Sequence, residues 1–208
     1  MKREVDVSLL LINNAIHLIA EGGFEKATTK ELALCGGSFP NLKMNEVYIY
    51  RLFGSKERLL EEAFIHLDKE LFVAVQRGLE AIGGFETNTQ EKLHTFFEMA
   101  WAFLMHNEER CRCYLRYYYS IYFKGNAREC HKRLFQGFKD EMAVLFKEEA
   151  DVNAIIHSVF TLLLDFAIRV YNGELEDNEI NRSHIFNVLY CMMMTYFKGV
   201  EPVARVIG

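Results

Sequence analysis

Apolar residues recur at helical spacing from the start of the chain. Leu9, Ile12, Ile16, Ile19 and Ala20 share one face over residues 5–21, the pattern of an amphipathic helix. Gly22-Gly23 ends it, since glycine tolerates the left-handed C-terminal cap. Phe24 follows as a core anchor. Thr28 and Glu31 stand three apart, the capping-box arrangement, and open a short helix over about 29–35. Residues 36–41 are glycine, serine, proline and asparagine around one phenylalanine, which is loop material. A third short helix is predicted over about 44–52, and Ser55 is a good N-cap for a fourth. The fourth is long and runs to about Gly78, with Leu59, Leu60, Ala63, Phe64, Leu67, Leu71 and Val75 as its core-facing stripe. Gly83-Gly84 and Asn88-Thr89 mark a connection. Helical spacing then resumes over about 89–106, 109–124, 127–148, 151–172 and 179–198. The total is about nine helices.

Composition agrees. Only two of 208 residues are proline, and helix interiors reject proline, so an all-α chain is predicted and a turn-rich β-sandwich is excluded. Half the residues are hydrophobic and a quarter are charged, the balance of a globular chain with a sizeable core. The net charge of −5 excludes a protein that is basic throughout. It leaves room for a local DNA-binding segment, because residues 1–60 carry eight Lys/Arg against seven Asp/Glu and the remainder 16 against 22. The longest apolar stretches, such as 154–164, are interrupted by His157 and stop at Asp165. They fall short of the ~18–20 residues a membrane span needs, so no membrane partner is expected. Met1-Lys2-Arg3-Glu4 leads into an apolar run with no small-residue cleavage site, so no signal peptide is expected. Five cysteines imply no disulfide framework, and reduced thiols suit a cytoplasmic protein.

Three short N-terminal helices, the last two joined by a polar connection, have the layout of a helix-turn-helix, whose second helix enters the DNA major groove. Generic helical hairpins share that layout, so the residues decide. Asn14-Ala15-Ile16-His17-Leu18-Ile19-Ala20-Glu21-Gly22-Gly23-Phe24, Thr28-Thr29-Lys30-Glu31-Leu32-Ala33, and Ile49-Tyr50-Arg51-Leu52-Phe53-Gly54-Ser55-Lys56-Glu57-Arg58-Leu59-Leu60 follow one another in order. Over about residues 10–65 this resembles the DNA-binding domain of the TetR family of bacterial transcriptional regulators. The Tyr50-to-Leu60 stretch is its most specific part. Two departures stand out. About six extra residues, 36–41, separate the second and third helices, and Val47 replaces a glycine common early in the recognition helix. Both bear on the angle of that helix. The apolar anchors Leu32, Met44, Ile49 and Phe53 are kept.

The resemblance implies an all-α protein with a DNA-binding domain over 1–55 and a larger helical ligand-binding and dimerisation domain over 56–208. Candidate DNA contacts are Thr28, Thr29, Lys43, Asn45, Glu46, Tyr48, Tyr50, Arg51 and Lys56. Thr28 stands at a helix N-terminus where a phosphate can bind. Arg51 and Asn45 carry the donors that read guanine and adenine edges. Tyr50 and Lys56 match family positions that touch the DNA backbone. Tyr48 and Tyr50 can equally be packing residues, with the charges merely solvated.

Aromatic side chains crowd the middle of the chain. Most must be core, but large apolar cavities are built from the same residues. The family's effector pocket lies in these helices, so Phe97, Trp101, Tyr114, Tyr118, Phe138 and Phe160 are candidate ligand contacts. The last helix is apolar almost all round, and a helix without a polar face needs cover on two sides. Phe186, Leu189, Tyr190, Met193 and Phe197 are therefore candidate dimerisation residues, in agreement with a family that pairs through its last two helices.

Other chemistry is sparse. Glu91-x-x-His94 is half of a carboxylate di-iron motif, and no other histidine has a glutamate three residues before it. Cys111, Cys113, Cys130 and His131 match no common zinc spacing. Asp165 and Arg169, four apart, read as an intrahelical pair at a solvent-facing edge. No metal, cofactor or catalysis is expected. The sequence predicts a regulator, most simply a repressor, that is a homodimer on operator DNA and answers to a small apolar or aromatic effector. The competing reading is a helical binding or scaffold protein without sequence-specific DNA recognition.

Overall fold

The structure, a computed structural model, describes residues 6–34, 45–83 and 89–199. The predicted loop 36–41, Cys35, Lys43, Met44 and Pro202 lie outside the described residues. Nine α-helices are present among the described residues: α1 (Val7–Gly22), α2 (Thr29–Leu34), α3 (Val47–Phe53), α4 (Lys56–Ile82), α5 (Thr89–His106), α6 (Glu108–Tyr118), α7 (Gly125–Ala143), α8 (Val152–Tyr171) and α9 (Glu179–Met194). The only other ladder pairing among these residues is one antiparallel bridge, Phe146 with Phe197. The all-α expectation holds.

Local chemistry sets the helix ends. Asp6 Oδ1 accepts from the amides of Ser8 and Leu9 at 2.9 and 3.1 Å and starts α1. Gly23, at φ +77°, ends it by donating its amide to the Ile19 carbonyl at 2.9 Å. Thr28 Oγ1 caps α2 through the Glu31 amide at 3.2 Å. The reciprocal half of the predicted capping box is replaced, because the Thr28 amide donates to the Lys26 carbonyl at 2.8 Å. Ser55 Oγ caps α4 through the Arg58 amide, as its sequence position predicts.

Four ends differ from the sequence pattern. α4 runs through Gly78 to Ile82, and Gly78 serves contact with α5: a Cβ there would meet the Phe96 ring at 2.8 Å. α6 stops at Tyr118 because Ser120 Oγ donates to the Tyr117 carbonyl and accepts from the Tyr122 amide, turning the chain. α7 and α9 stop early for a shared reason. The Lys147 amide donates to the Tyr196 carbonyl and the Lys198 amide to the Leu145 carbonyl, each at 2.9 Å, so the two segments pair with each other instead of continuing as helix.

The chain packs as two compact units interleaved in sequence: Met1–Phe72 with Asn107–Leu134, and Val73–His106 with Phe135–Gly208. In the first, α6 lies along α1, and Leu11, Ile16, Ile19, Leu32, Ile49 and Leu60 form the core. In the second, α9 packs on α8 and α5 touches both, around Trp101, Leu104, Leu164, Phe186 and Leu189. The expected boundary at residue 55 is a division by role and is taken up with function.

One expectation is corrected here. α8 is long and apolar enough to cross a membrane by length and composition. Its Asp165 and Arg169 are exposed and Ile155, Leu163, Leu164 and Ala167 are buried, so one face packs within the unit and most of the helix surface stays open.

Candidate nucleic-acid interface

The first unit holds α2 and α3 by buried groups and one surface bond. Asn14 on α1 is 5% exposed, and its side-chain amide donates to the Leu32 carbonyl at 3.0 Å. That carbonyl belongs to α2, so Asn14 ties α2 to α1. Ile49, fully buried, pins α3 by its inner face. Thr29 Oγ1 donates to Glu46 Oε2 at 2.7 Å and links the start of α2 to the start of α3. Asn45 opens α3, its Oδ1 accepting from the Val47 amide at 3.1 Å.

These constraints leave the outer face of α3 open. Tyr50 and Arg51 are exposed and Tyr48 is half-buried. Val47 and Leu52, which sequence reasoning did not select as contacts, are exposed as well. Asn45, Glu46 and Thr28 are exposed, and Thr29 and Lys56 are half-buried. The eight described candidates therefore sit on α2, α3 and the start of α4, within one unit; the ninth, Lys43, lies outside the described residues. Glu46 is already engaged with Thr29, and Asn45 Oδ1 with the backbone. Arg51 forms no ion pair among the described residues and lies over Tyr48, its guanidinium carbon 4.8 Å from the ring centroid.

Of the six candidate ligand contacts, Tyr114 and Tyr118 belong to the first unit, and Phe97, Trp101, Phe138 and Phe160 to the second. In the first unit Phe64 stacks on Tyr114 and Tyr117 at 5.3 and 4.6 Å, and Tyr118 stacks on Tyr114 and leans on Phe123. Beside them lies a polar pair that sequence reasoning missed. Asp68 is fully buried, and its Oδ1 accepts from His131 Nδ1 at 2.9 Å. The imidazole is held edge-on by Tyr118 and Phe123. Burial, and then the Asp68 charge, push the Tyr114 hydroxyl well above its ordinary titration range. In the second unit Phe97 stacks on Trp101 at 5.9 Å, and Trp101 Nε1 donates to Asp177 Oδ1 at 2.9 Å. Phe138 stacks on Phe96 at 5.9 Å, and Phe160 is half-buried. Phe97, Trp101 and Tyr114 are closely packed core residues. An open cleft in the second unit is lined instead by Thr89, Gln90, Glu91, His94 and Phe186.

The candidate dimerisation residues lie mostly inside the second unit. Phe186, Leu189, Met193 and Phe197 are 7% exposed or less, and Tyr190 is half-buried. They cover this chain's own core, where Phe186 meets Phe97 at 5.6 Å and Phe197 meets Phe146 at 5.3 Å. The outward face of α9 carries Ile180, His184, Asn187, Val188 and Cys191. The Asp165–Arg169 pair is also not formed; Arg169 pairs with Glu174 at 3.6 Å. Among the described residues no three His, Cys, Asp or Glu side chains stand together as a metal site, and His94 faces Glu98 at 3.8 Å.

No family model matches the sequence, and no curated protein matches it. Solved structures do match. A TetR family transcription regulator from Marinobacter aquaeolei VT8 is similar with a TM-score of 0.71 at 14% identity, over 89% of this chain and 94% of that one. A Shewanella sp. PV-4 protein given the same family name is similar at 0.72 and 17%, over 88% and 96%. The fatty acid degradation regulator FadR from Bacillus halodurans is similar at 0.58 and 15%, over 97% and 100%. The chain has a TetR-like fold.

Proposed function

We propose that this chain is a DNA-binding transcriptional regulator, a cytoplasmic homodimeric repressor released from its operator by a small apolar or aromatic effector. The observation that carries the reading is α3. Its inner face is pinned by Ile49, and its outer face presents Tyr50 and an Arg51 with no ion-pair partner among the described residues. Arg51 and the Asn45 amide read base edges. Thr28, Tyr50, Lys56 and Lys43 hold the phosphate backbone. Glu46 and Thr29 hold α2 and α3 in register. Residues 1–55 are the DNA-reading part and 56–208 the sensing and pairing part. The chain is not an enzyme and uses no cofactor.

The case for pairing rests on α8. Only 17% of its most apolar window is buried within the chain, which leaves apolar area for a second copy to cover. A symmetric pair uses the same patch twice and presents two α3 helices to successive major grooves. Of the six candidate effector contacts, Tyr118 is the best supported, because it is half-buried and its ring meets the His131 imidazole that binds the buried Asp68. An effector releases DNA only by its differential affinity for a conformation that spaces the α3 helices wrongly. A gel shift with the DNA upstream of the protein's own coding sequence tests the reading. A salt-sensitive, competitor-resistant complex is expected. Equal displacement by unrelated DNA would favour a helical binding protein without sequence recognition.

A further inference from the structure

Tyr48 and Arg51 stand three residues apart on α3, so they share a face and are neighbours one turn apart. Ile49 between them is fully buried and fixes the rotation of the helix. Arg51 is exposed, forms no ion pair among the described residues, and lies 4.8 Å over the Tyr48 ring. A guanidinium that meets a ring by its flat face keeps its five N–H donors, which lie in its own plane, available at the edge. A guanine base needs two coplanar donors for its O6 and N7 atoms.

We infer that Tyr48 is a positioning residue: its ring holds the Arg51 guanidinium edge-out for a guanine in the major groove. The inference rests on the DNA-binding reading above and deepens it. Tyr48 then acts through Arg51 rather than by touching DNA. A free arginine side chain samples many rotamers and can settle on the nearest phosphate. A stacked one has its plane set before DNA arrives, which favours a planar bidentate partner.

The test begins by selecting duplexes from a random-sequence pool with the wild-type protein. Affinities for the selected duplex, and for copies with each guanine replaced by 7-deazaguanine or adenine, are then read by fluorescence anisotropy at two salt concentrations. Arg51→Ala is expected to erase the preference at one guanine of the recognised site. Tyr48→Leu is expected to cut that same preference by about 2- to 5-fold, the scale of an exposed cation–π contact, and to leave the salt slope unchanged. Tyr48→Phe keeps the ring and the preference. Tyr48→Leu placed on Arg51→Ala has no further effect. Tyr48→Met replaces Tyr48→Leu if the thermal midpoint of the latter falls. A Tyr48→Leu loss that is equal at every base, or that persists without Arg51, overturns the positioning role. So does an unchanged guanine preference in a variant that otherwise binds normally. If no duplex is enriched over the random pool, the DNA-binding reading fails first, and the inference falls with it.

Discussion

Asp68 has no exposed surface, yet it carries a carboxylate, and a 2.9 Å bond from His131 reaches one of its oxygens. Removing the acceptor deprives a half-enclosed imidazole of that bond. Asp68→Ala should cost about 1–3 kcal/mol, read as a fall in the urea midpoint, and Asp68→Asn, which keeps an acceptor, should cost less. Equal midpoints for Asp68→Ala and wild type would contradict this. Nothing local in the sequence marks the pair. Asp68 follows Leu67 in an apolar stripe, and its partner lies 63 residues away. The two tyrosines beside it were legible only as aromatic load. A second prediction concerns alkaline pH. Burial raises the Cys113 thiol from its ordinary 9.0 to about 12, and burial also raises Tyr114 and Tyr117. The neutral thiol is therefore the form the fold prefers. Its stabilisation is complete below about pH 9 and is lost as pH rises from there towards 12. Urea midpoints measured from pH 7 upward should be flat to about pH 9 and then decline, and a profile that stays flat to pH 11 would contradict the burial of these groups.

At the scale of elements, α4 shows how a glycine can mean contact rather than termination. The pattern around Gly78 reads as a helix end, because glycine weakens helix interiors by roughly 1 kcal/mol relative to alanine. The helix continues because the close approach of Phe96 needs the missing side chain. Gly78→Leu should therefore lower the thermal midpoint despite better helix propensity, by an overpacking cost of about 1–3 kcal/mol. Phe96→Ala in the same chain should recover part of the loss, since it clears the ring. Additive losses in the double variant would rule the contact out. Periodicity placed α1 to within two residues, because the Asp6 cap and Gly23 at its ends are local. It overran α6, α7 and α9, because Ser120 and the pairing of 145–147 with 196–198 are settled by turns and distant partners. In the candidate interface, the exposed Tyr50 and Arg51 were legible. The Thr29–Glu46 bond and the Asn14 anchor were not, because each depends on how two helices meet.

At the scale of the whole molecule, pairing and DNA reading must go together if two α3 helices are to be presented. Burial sharpens the choice of test residue. Met193 is 7% exposed, so a charge there should unfold the chain, whereas Val188 is 45% exposed and can be changed from outside. Val188→Glu should give a folded monomer by sedimentation that binds a two-half-site duplex far more weakly, through lost avidity. A Val188→Glu protein that still sediments as a dimer would place the pairing surface elsewhere. The most direct test of the central claim is an equilibrium anisotropy titration of wild type and Arg51→Ala against a selected duplex and its scrambled copy at one salt concentration. Wild type should prefer the selected duplex by at least about 1,000-fold, and Arg51→Ala should lose roughly 5- to 150-fold on that duplex alone. Equal wild-type affinity for both duplexes, or no effect of Arg51→Ala, would contradict the account.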